Sequence, residues 1–330
     1  MEPQYIGIDL HKASFHACAV ASDGTRCWEA VFARTAEGIA RCAARGIAGA
    51  QLAVEASGPT WAFVDAVTRY GVSVCVVDSR KTKLKAGFAA KTDRLDARRL
   101  ADALRRQSVV SVYVPAVAIR ELRELSRGRQ QVVRLRTRLV QAIRALLLRM
   151  DGPEPPVRTL TSRAGLAWVA GVHLGPSSEA SLRRLERLLH ATVVETRAAD
   201  AAVKAAASDD PIVARLRTRP GIGPVLAVAL RAEIGTIDRF ARGAALAAYA
   251  GIVSRVHASG GQVWRGAITR EGSPWLRWAL VEVAQRTMNR PDRRGRWARR
   301  LARRKGKKIA RVALARRLCD EIVHTWKMVG

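Results

Sequence analysis

The 330-residue chain lacks long apolar runs, paired cysteines, grouped histidines and, above all, acids. Each shortage excludes something. No stretch reaches the roughly 18 consecutive apolar residues that a membrane-spanning helix requires, so no membrane partner is expected. Met1-Glu2-Pro3-Gln4-Tyr5 carries neither the basic nor the apolar region of a secretory leader, and a cytoplasmic protein is expected. The five cysteines, Cys18, Cys27, Cys42, Cys75 and Cys319, form no C-x-x-C pair. That argues against a disulfide framework and against a zinc site. The six histidines show no metal-ligand spacing. Acids are outnumbered 28 to 58 by Lys and Arg, a formal charge of +30. A field of that sign attracts polyanions, nucleic acid first and an anionic membrane surface second.

What is present begins with short apolar runs. Residues 5–10, 15–21 and 26–33 read as three strands, with Ser22-Asp23-Gly24-Thr25 as a turn. A helix is expected over 35–46, a strand over 51–55 ending in Glu55, a helix near 60–70 and a strand over 72–77. The next helix starts near Asp93, where Leu95, Leu100 and Leu104 recur on one side. Three strands followed by helix, strand, helix, strand, helix is the element order of an α/β RNase H-like fold, which carries acids at the end of strand 1, on strand 4 and on a late helix.

From 118 to about 150 the pattern is purely helical. An apolar stripe runs from Leu122 through Leu139 to Leu146, with Arg129, Arg136 and five further arginines between. This suits a helical hairpin or coiled coil on a phosphate backbone, and equally an ordinary amphipathic helix. Asp151-Gly152-Pro153 is a break, 157–178 is poorly patterned, and a second helix over 179–207 is a candidate partner for the first. Pro220-Gly221-Ile222-Gly223-Pro224 between two helical runs is a helix-hairpin-helix signature, in which the N–H groups of Gly221 and Gly223 are able to face a phosphate. Residues 251–272 read as a Gly- and Ser-rich loop, and 274–289 as a helix. In Arg290–Arg311, 12 of 22 residues are basic, including Arg299 and Arg303. With Trp297, Leu301 and Ile309 as inward anchors, this run is expected to grip phosphates in a salt-dependent manner. The expected domains are 1–115, α/β; 116–210, a helical coiled-coil middle; and 211–330, mainly α with the hairpin motif.

Four acids carry the chemistry. Asp9 interrupts an apolar strand, where an unpaired carboxylate is costly. Glu55 closes a strand before a tight turn. Asp93 and Asp96, at i and i+3, share a helix face, among Lys91, Arg94, Arg98 and Arg99. In an RNase H-like sheet such a cluster is suited to two Mg²⁺ ions and in-line phosphoryl displacement. Asp65, Asp78 and Asp102 read as surface or supporting acids.

These residues resemble the DEDD-type transposases, bacterial insertion-sequence recombinases with a RuvC-like N-terminal domain and a separate C-terminal transposase domain. The matching stretches are Gly7-Ile8-Asp9 with Lys12, Val54-Glu55-Ala56-Ser57-Gly58, Lys91 to Ala97, Pro220-Gly221-Ile222-Gly223, and Ser259-Gly260 leading to Arg265-Gly266. The resemblance implies that Asp9, Glu55, Asp93 and Asp96 are a metal-binding catalytic tetrad. It also implies a serine nucleophile that joins covalently to DNA, for which Ser259 fits and Ser254 and Ser273 are rivals. Gly-Gly-Gln after Ser259, and Thr269-Arg270-Glu271-Gly272 beyond, depart from the commonest family pattern. Implied partners are donor and target DNA, a structured non-coding bridge RNA as guide, and further copies of the chain in a homodimer or homotetramer with composite active sites. Implied nucleic-acid contacts are Lys91, Arg94, Arg98, Arg129, Arg136, Gly221, Gly223, Arg265, Arg299 and Arg303. The location implied is the bacterial cytoplasm, at the nucleoid. A RuvC-like junction resolvase or nuclease without a covalent step, and a non-catalytic nucleic-acid-binding protein, are the alternative readings.

Overall fold

The computed structural model describes residues 4–79, 81–82, 93–259 and 262–328. Its contacts divide the chain into two units, one ending at Val114 and one beginning at Pro115.

The first unit is built on a five-stranded mixed sheet. Strands β1 (Tyr5–Leu10), β2 (Ser14–Val20) and β3 (Arg26–Ala33) form an antiparallel meander. Strands β4 (Gln51–Glu55) and β5 (Ser73–Val77) are added in parallel beyond β1. The resulting sheet order is β3-β2-β1-β4-β5, and the elements follow one another along the chain in the expected sequence of three strands, helix, strand, helix, strand, helix. Alternation along the strands sends Ile6, Ile8, Phe15, Ala17, Leu52 and Val54 to one face. There they pack with Ile39 and Cys42 of α1 (Ala36–Ala43) and with Phe63, Val64 and Val67 of α2 (Thr60–Thr68). The opposite face presents Cys18, Val20, Ala53 and Val77 to Ala97, Leu100, Ala101 and Leu104 of α3 (Asp93–Arg105).

The second unit is almost entirely helical. Helix α4 (Val117–Arg149) and α6 (Pro176–Ala205) lie antiparallel, as the pairing of Arg129 with Asp200 at one end and the shared packing of Ile143 and Leu182 at the other require. Between them in sequence, α5 (Arg163–Gly171) was not foreseen. Its nine residues include two glycines and bury only Gly165 and Val169, too little for a visible 3.6-residue period. Serine at its start nonetheless marks it, because the Ser162 hydroxyl accepts from Gly165 N–H at 3.0 Å.

Helices α7 (Pro211–Arg217), α8 (Pro224–Ile234), α9 (Gly243–Tyr249), α10 (Pro274–Met288), α11 (Arg293–Lys305) and α12 (Lys307–Lys327) enclose the largest core, to which α4 contributes Leu122. Residues 254–268 are not the expected loop. They form a hairpin of β6 (Ser254–Ser259) and β7 (Gln262–Ile268). The basic run is split at Gly306, which takes φ +86°, so it supplies α11 and the first turn of α12. Trp297 and Leu301 pack against the core as expected, but Ile309 is 56% exposed. The break at Gly306 changes the helical phase between Leu301 and Ile309, so the second no longer follows the first inward.

Candidate active site

Parallel pairing places the strand acids side by side. Ile8 of β1 pairs with Val54 of β4, and the next residues on the two strands are Asp9 and Glu55. By alternation they share the face of Gly7 and Ala53, which α3 covers. Glu55 sits just before a turn held by the buried Thr60. The Thr60 hydroxyl donates to Glu55 O at 2.7 Å and accepts from Ser57 N–H at 2.8 Å. The missing side chain at Gly7 lets α3 lie against β1, and α3 opens with Asp93.

The chain brings together Asp9, Asp93 and a residue the sequence reading passed over, His11. Its Nε2 is 3.3 Å from Asp9 Oδ2 and 3.1 Å from Asp93 Oδ2. One donor atom from each residue lies within 4.8 Å of the other two. Burial raises the Asp9 carboxyl above its ordinary value; His11 opposes this, while the charges of Asp93 and Asp96 add to it. Asp96 is thus within electrostatic reach of Asp9, and its carboxylate accepts from Arg99 at 3.2 Å. Two carboxylates and an imidazole nitrogen are a donor set that suits a divalent cation. A cation would offset both the burial and the neighbouring acid charges that raise the Asp9 carboxyl. The signal for His11 was available in sequence: it stands two residues after a strand-ending acid, hence on the same side of the chain.

Beside this cluster, Glu29 of β3 is nearly buried and accepts from His16 Nε2 at 2.8 Å, Arg94 Nε at 2.7 Å and Arg26 at 3.2 Å. Burial alone would raise its pKa, but the hydrogen bonds and charges of His16 and Arg94 outweigh it and hold the carboxyl below its ordinary value. Arg94, expected at a phosphate, is therefore engaged by Glu29 while remaining largely exposed. Arg98 is exposed; Lys91 lies outside the described residues.

In the second unit the serines separate by environment. Ser273 caps α10, accepting from Leu276 N–H at 3.2 Å, and its hydroxyl donates to Glu233 at 2.7 Å. Ser254 is half-buried at the base of the hairpin, opposite Ile268. Ser259 is exposed at the far end of β6, opposite Gln262. That hairpin is tied down at its base. Gly251 and Gly272 take φ +66° and +84°, and a β-carbon on either would stand about 2 Å from a backbone oxygen of Glu271 or Tyr249. Arg270 N–H donates to Gly251 O at 3.1 Å, and Thr269 N–H to Val253 O at 2.9 Å. Arg265 pairs with Val256 across the hairpin.

The remaining expected contacts divide into committed and available groups. Arg129 is mostly buried in its pair with Asp200 at 2.7 Å, and Arg299 donates to Met288 O and Arg290 O at 2.6 Å, closing the end of α10. Arg136 is half-buried and Arg303 exposed. Gly221 takes φ +91° and Gly223 caps α8. Together with Arg217, Arg219, Arg286 and Arg290 they line a polar hollow. Among the described residues no helix is long and apolar enough to cross a membrane.

A meander-and-crossover sheet with acids gathered at the end of its first strand, on a chain of +30 charge, suits a protein that acts on nucleic acid. Comparison narrows the class. The family model for transposases of the DEDD IS110 type matches residues 6–150, and that for the transposase IS116/IS110/IS902 family matches residues 213–301. A protein of Pseudomonas aeruginosa named "Probable family 20 transposase" is 30% identical over 236 residues, covering 68% of this chain and 69% of the relative. The transposase for insertion sequence element IS1111A of Coxiella burnetii is 29% identical over 238 residues, covering 68% and 64%. The transposase for insertion sequence element IS1328 of Yersinia enterocolitica is 26% identical over 290 residues, covering 86% and 84%. The chain thus spans about two thirds of the length of the first two. It belongs to the IS110-type DEDD transposases, enzymes that act on DNA.

Proposed function

We propose that this transposase cuts and rejoins DNA through two groups: a Mg²⁺-binding tetrad of Asp9, Glu55, Asp93 and Asp96, and a covalent nucleophile, Ser259. The observation that carries the reading is the meeting of Asp9 and Asp93 at the end of β1, with Glu55 next on the parallel strand. Mg²⁺ bound there would stabilise charge on the attacking and leaving oxygens of a phosphoryl transfer. The residues' own share is to hold their carboxylates convergent.

Ser259 Oγ attacks a strand phosphorus. A P–Oγ bond forms as one P–O bond of the strand breaks, and the departing strand end takes a proton to leave as a hydroxyl. Attack on the phosphoserine by the hydroxyl of the exchanged strand then rejoins DNA and returns the serine. Because one phosphodiester replaces another, the cycle needs no external energy source. Exposure of Ser259 at the end of a hairpin anchored by Gly251 and Gly272 suits this role, whereas the Ser273 hydroxyl is occupied by Glu233.

Functionally, 1–115 is the RuvC-like DEDD catalytic part, 116–210 the helical-hairpin nucleic-acid support, and 211–330 the serine-bearing part with the Gly221–Gly223 turn and the basic run at donor and target DNA. A structured non-coding bridge RNA selects both DNAs, supported by the many arginines along α4. A homodimer or homotetramer completes composite sites, the serine of one copy acting with the acids of another.

The test is recombination of donor and target DNA followed by denaturation. Wild type should leave protein on DNA, and Ser259→Ala should leave none and no recombinant product. Wild-type recombination by Ser259→Ala would overturn the serine's role; cleaved products free of protein in the wild-type reaction would favour a hydrolytic nuclease.

A further inference from the structure

The acid cluster contains one donor that is not an acid. His11 follows the last residue of β1, and its N–H donates to Ser14 O at 2.9 Å, closing the tight turn into β2. Strand alternation puts it on the side of Asp9, toward the start of α3. A single atom, Nε2, then meets carboxylate oxygens of both Asp9 and Asp93, at 3.3 and 3.1 Å. A neutral imidazole nitrogen carries at most one proton and satisfies one acceptor well. Two carboxylates aimed at one nitrogen therefore retain acceptor capacity directed at the same small volume. That is how donor atoms stand around a cation.

His16, the other histidine on this sheet face, meets a different acid. Its Nε2 is held by Glu29 at 2.8 Å. Oxygen donors alone suit Mg²⁺, whereas an imidazole improves the site for first-row transition ions.

We propose that His11 Nε2 is a ligand to a divalent cation shared with Asp9 and Asp93, so that this site takes Mn²⁺ more tightly than an all-carboxylate site would. The inference rests on the acid-site reading above. His11 lies outside the acidic tetrad, and the role would make the turn between β1 and β2 part of the metal centre.

The experiment uses the full chain stripped of metal by chelation, without nucleic acid. Mn²⁺ binding is followed by electron paramagnetic resonance, and the bound ion is examined by pulsed methods in protein labelled with ¹⁵N-histidine. Coupling to one directly bound ¹⁵N is expected. It should vanish in His11→Ala and His11→Gln and persist in His16→Ala. Mn²⁺ affinity should fall at least about tenfold in the His11 variants. Mg²⁺ affinity, read by competition, should change less. Bound Mn²⁺ with no nitrogen coupling in the wild type, lost in Asp9→Asn and Asp93→Asn, would overturn the role of His11 and leave the acid site standing. Mn²⁺ binding unchanged in Asp9→Asn and Asp93→Asn would overturn the acid site itself. The wild-type coupling does not depend on any variant folding.

Discussion

A β-carbon on Gly7 would stand 1.9 Å from the carbonyl oxygen of Ala97. No L side chain fits there, because the obstacle is helix backbone. This contact sets how closely α3 approaches β1, and so how near Asp93 comes to Asp9. Gly7→Ala is expected to cost about 3 kcal/mol, the upper end for overpacking a tight interior, and to lower strand exchange further than lost stability explains. Thermal unfolding with recombination assays below the transition checks it; a variant with wild-type melting and activity would show that the approach is not required.

Asp9→Asn separates stability from chemistry. The raised carboxyl of Asp9 means that its ionised form is disfavoured in the folded chain. Above that folded pKa it subtracts stability, and below the ordinary value of 3.8 it does not. In metal-free protein near pH 7 the Asn variant should therefore melt at or above wild type, the difference closing as pH falls toward 4. Strand exchange should drop by more than the about 10–100-fold typical of losing an outer partner of a metal ligand. A variant that melts lower and exchanges normally would contradict both expectations.

Glu29 has the opposite sign. Its lowered carboxyl contributes stability that is present above its unfolded value of 4.5 and is lost as pH falls through its lower folded value. Glu29→Gln should melt below wild type at pH 7, with the gap narrowing below about pH 4. Parallel melting curves across that range would rule out the His16–Glu29–Arg94 network as the source.

Glu233 is 2% exposed and accepts from Arg127 at 2.8 and 3.1 Å and from Ser273 at 2.7 Å. It joins α4, α8 and the start of α10. Glu233→Ala leaves a desolvated guanidinium without its partner and should cost about 3–5 kcal/mol, as for other broken buried pairs. Ser273→Ala should cost about 1 kcal/mol, the value of a helix cap, and should still form the protein–DNA adduct. Denaturant melts and the denatured-product assay read the two effects; loss of the adduct in Ser273→Ala at full stability would reassign the nucleophile.

Much of the first unit was readable in one dimension. Apolar runs of five to eight residues, spaced by Gly and Asp turns, have one economical arrangement, and Asp9 and Glu55 at strand ends follow from the runs themselves. The long helices α4 and α6 were equally legible, since periods sustained over about thirty residues leave little ambiguity. Short pieces were not. In α5 two glycines dilute the period, and in the β6–β7 hairpin Val256 and Trp264 are largely exposed, so no buried alternation exists to be seen. Ile309 was misplaced for a local reason, the left-handed Gly306.

Residue types, charge balance and strand-end acids thus came from the sequence alone, because they depend on neighbours along the chain. Tertiary structure decided which charges are spoken for. Arg129 belongs to Asp200, Arg299 to the end of α10 and Ser273 to Glu233, each through contacts with residues 9 to 71 positions away. His11 became part of the acid cluster because α3 returns from more than eighty residues downstream to lie on Gly7. Hydrogen bonds and ion pairs act over a few ångströms, and only the folded path determines which distant groups come within that range.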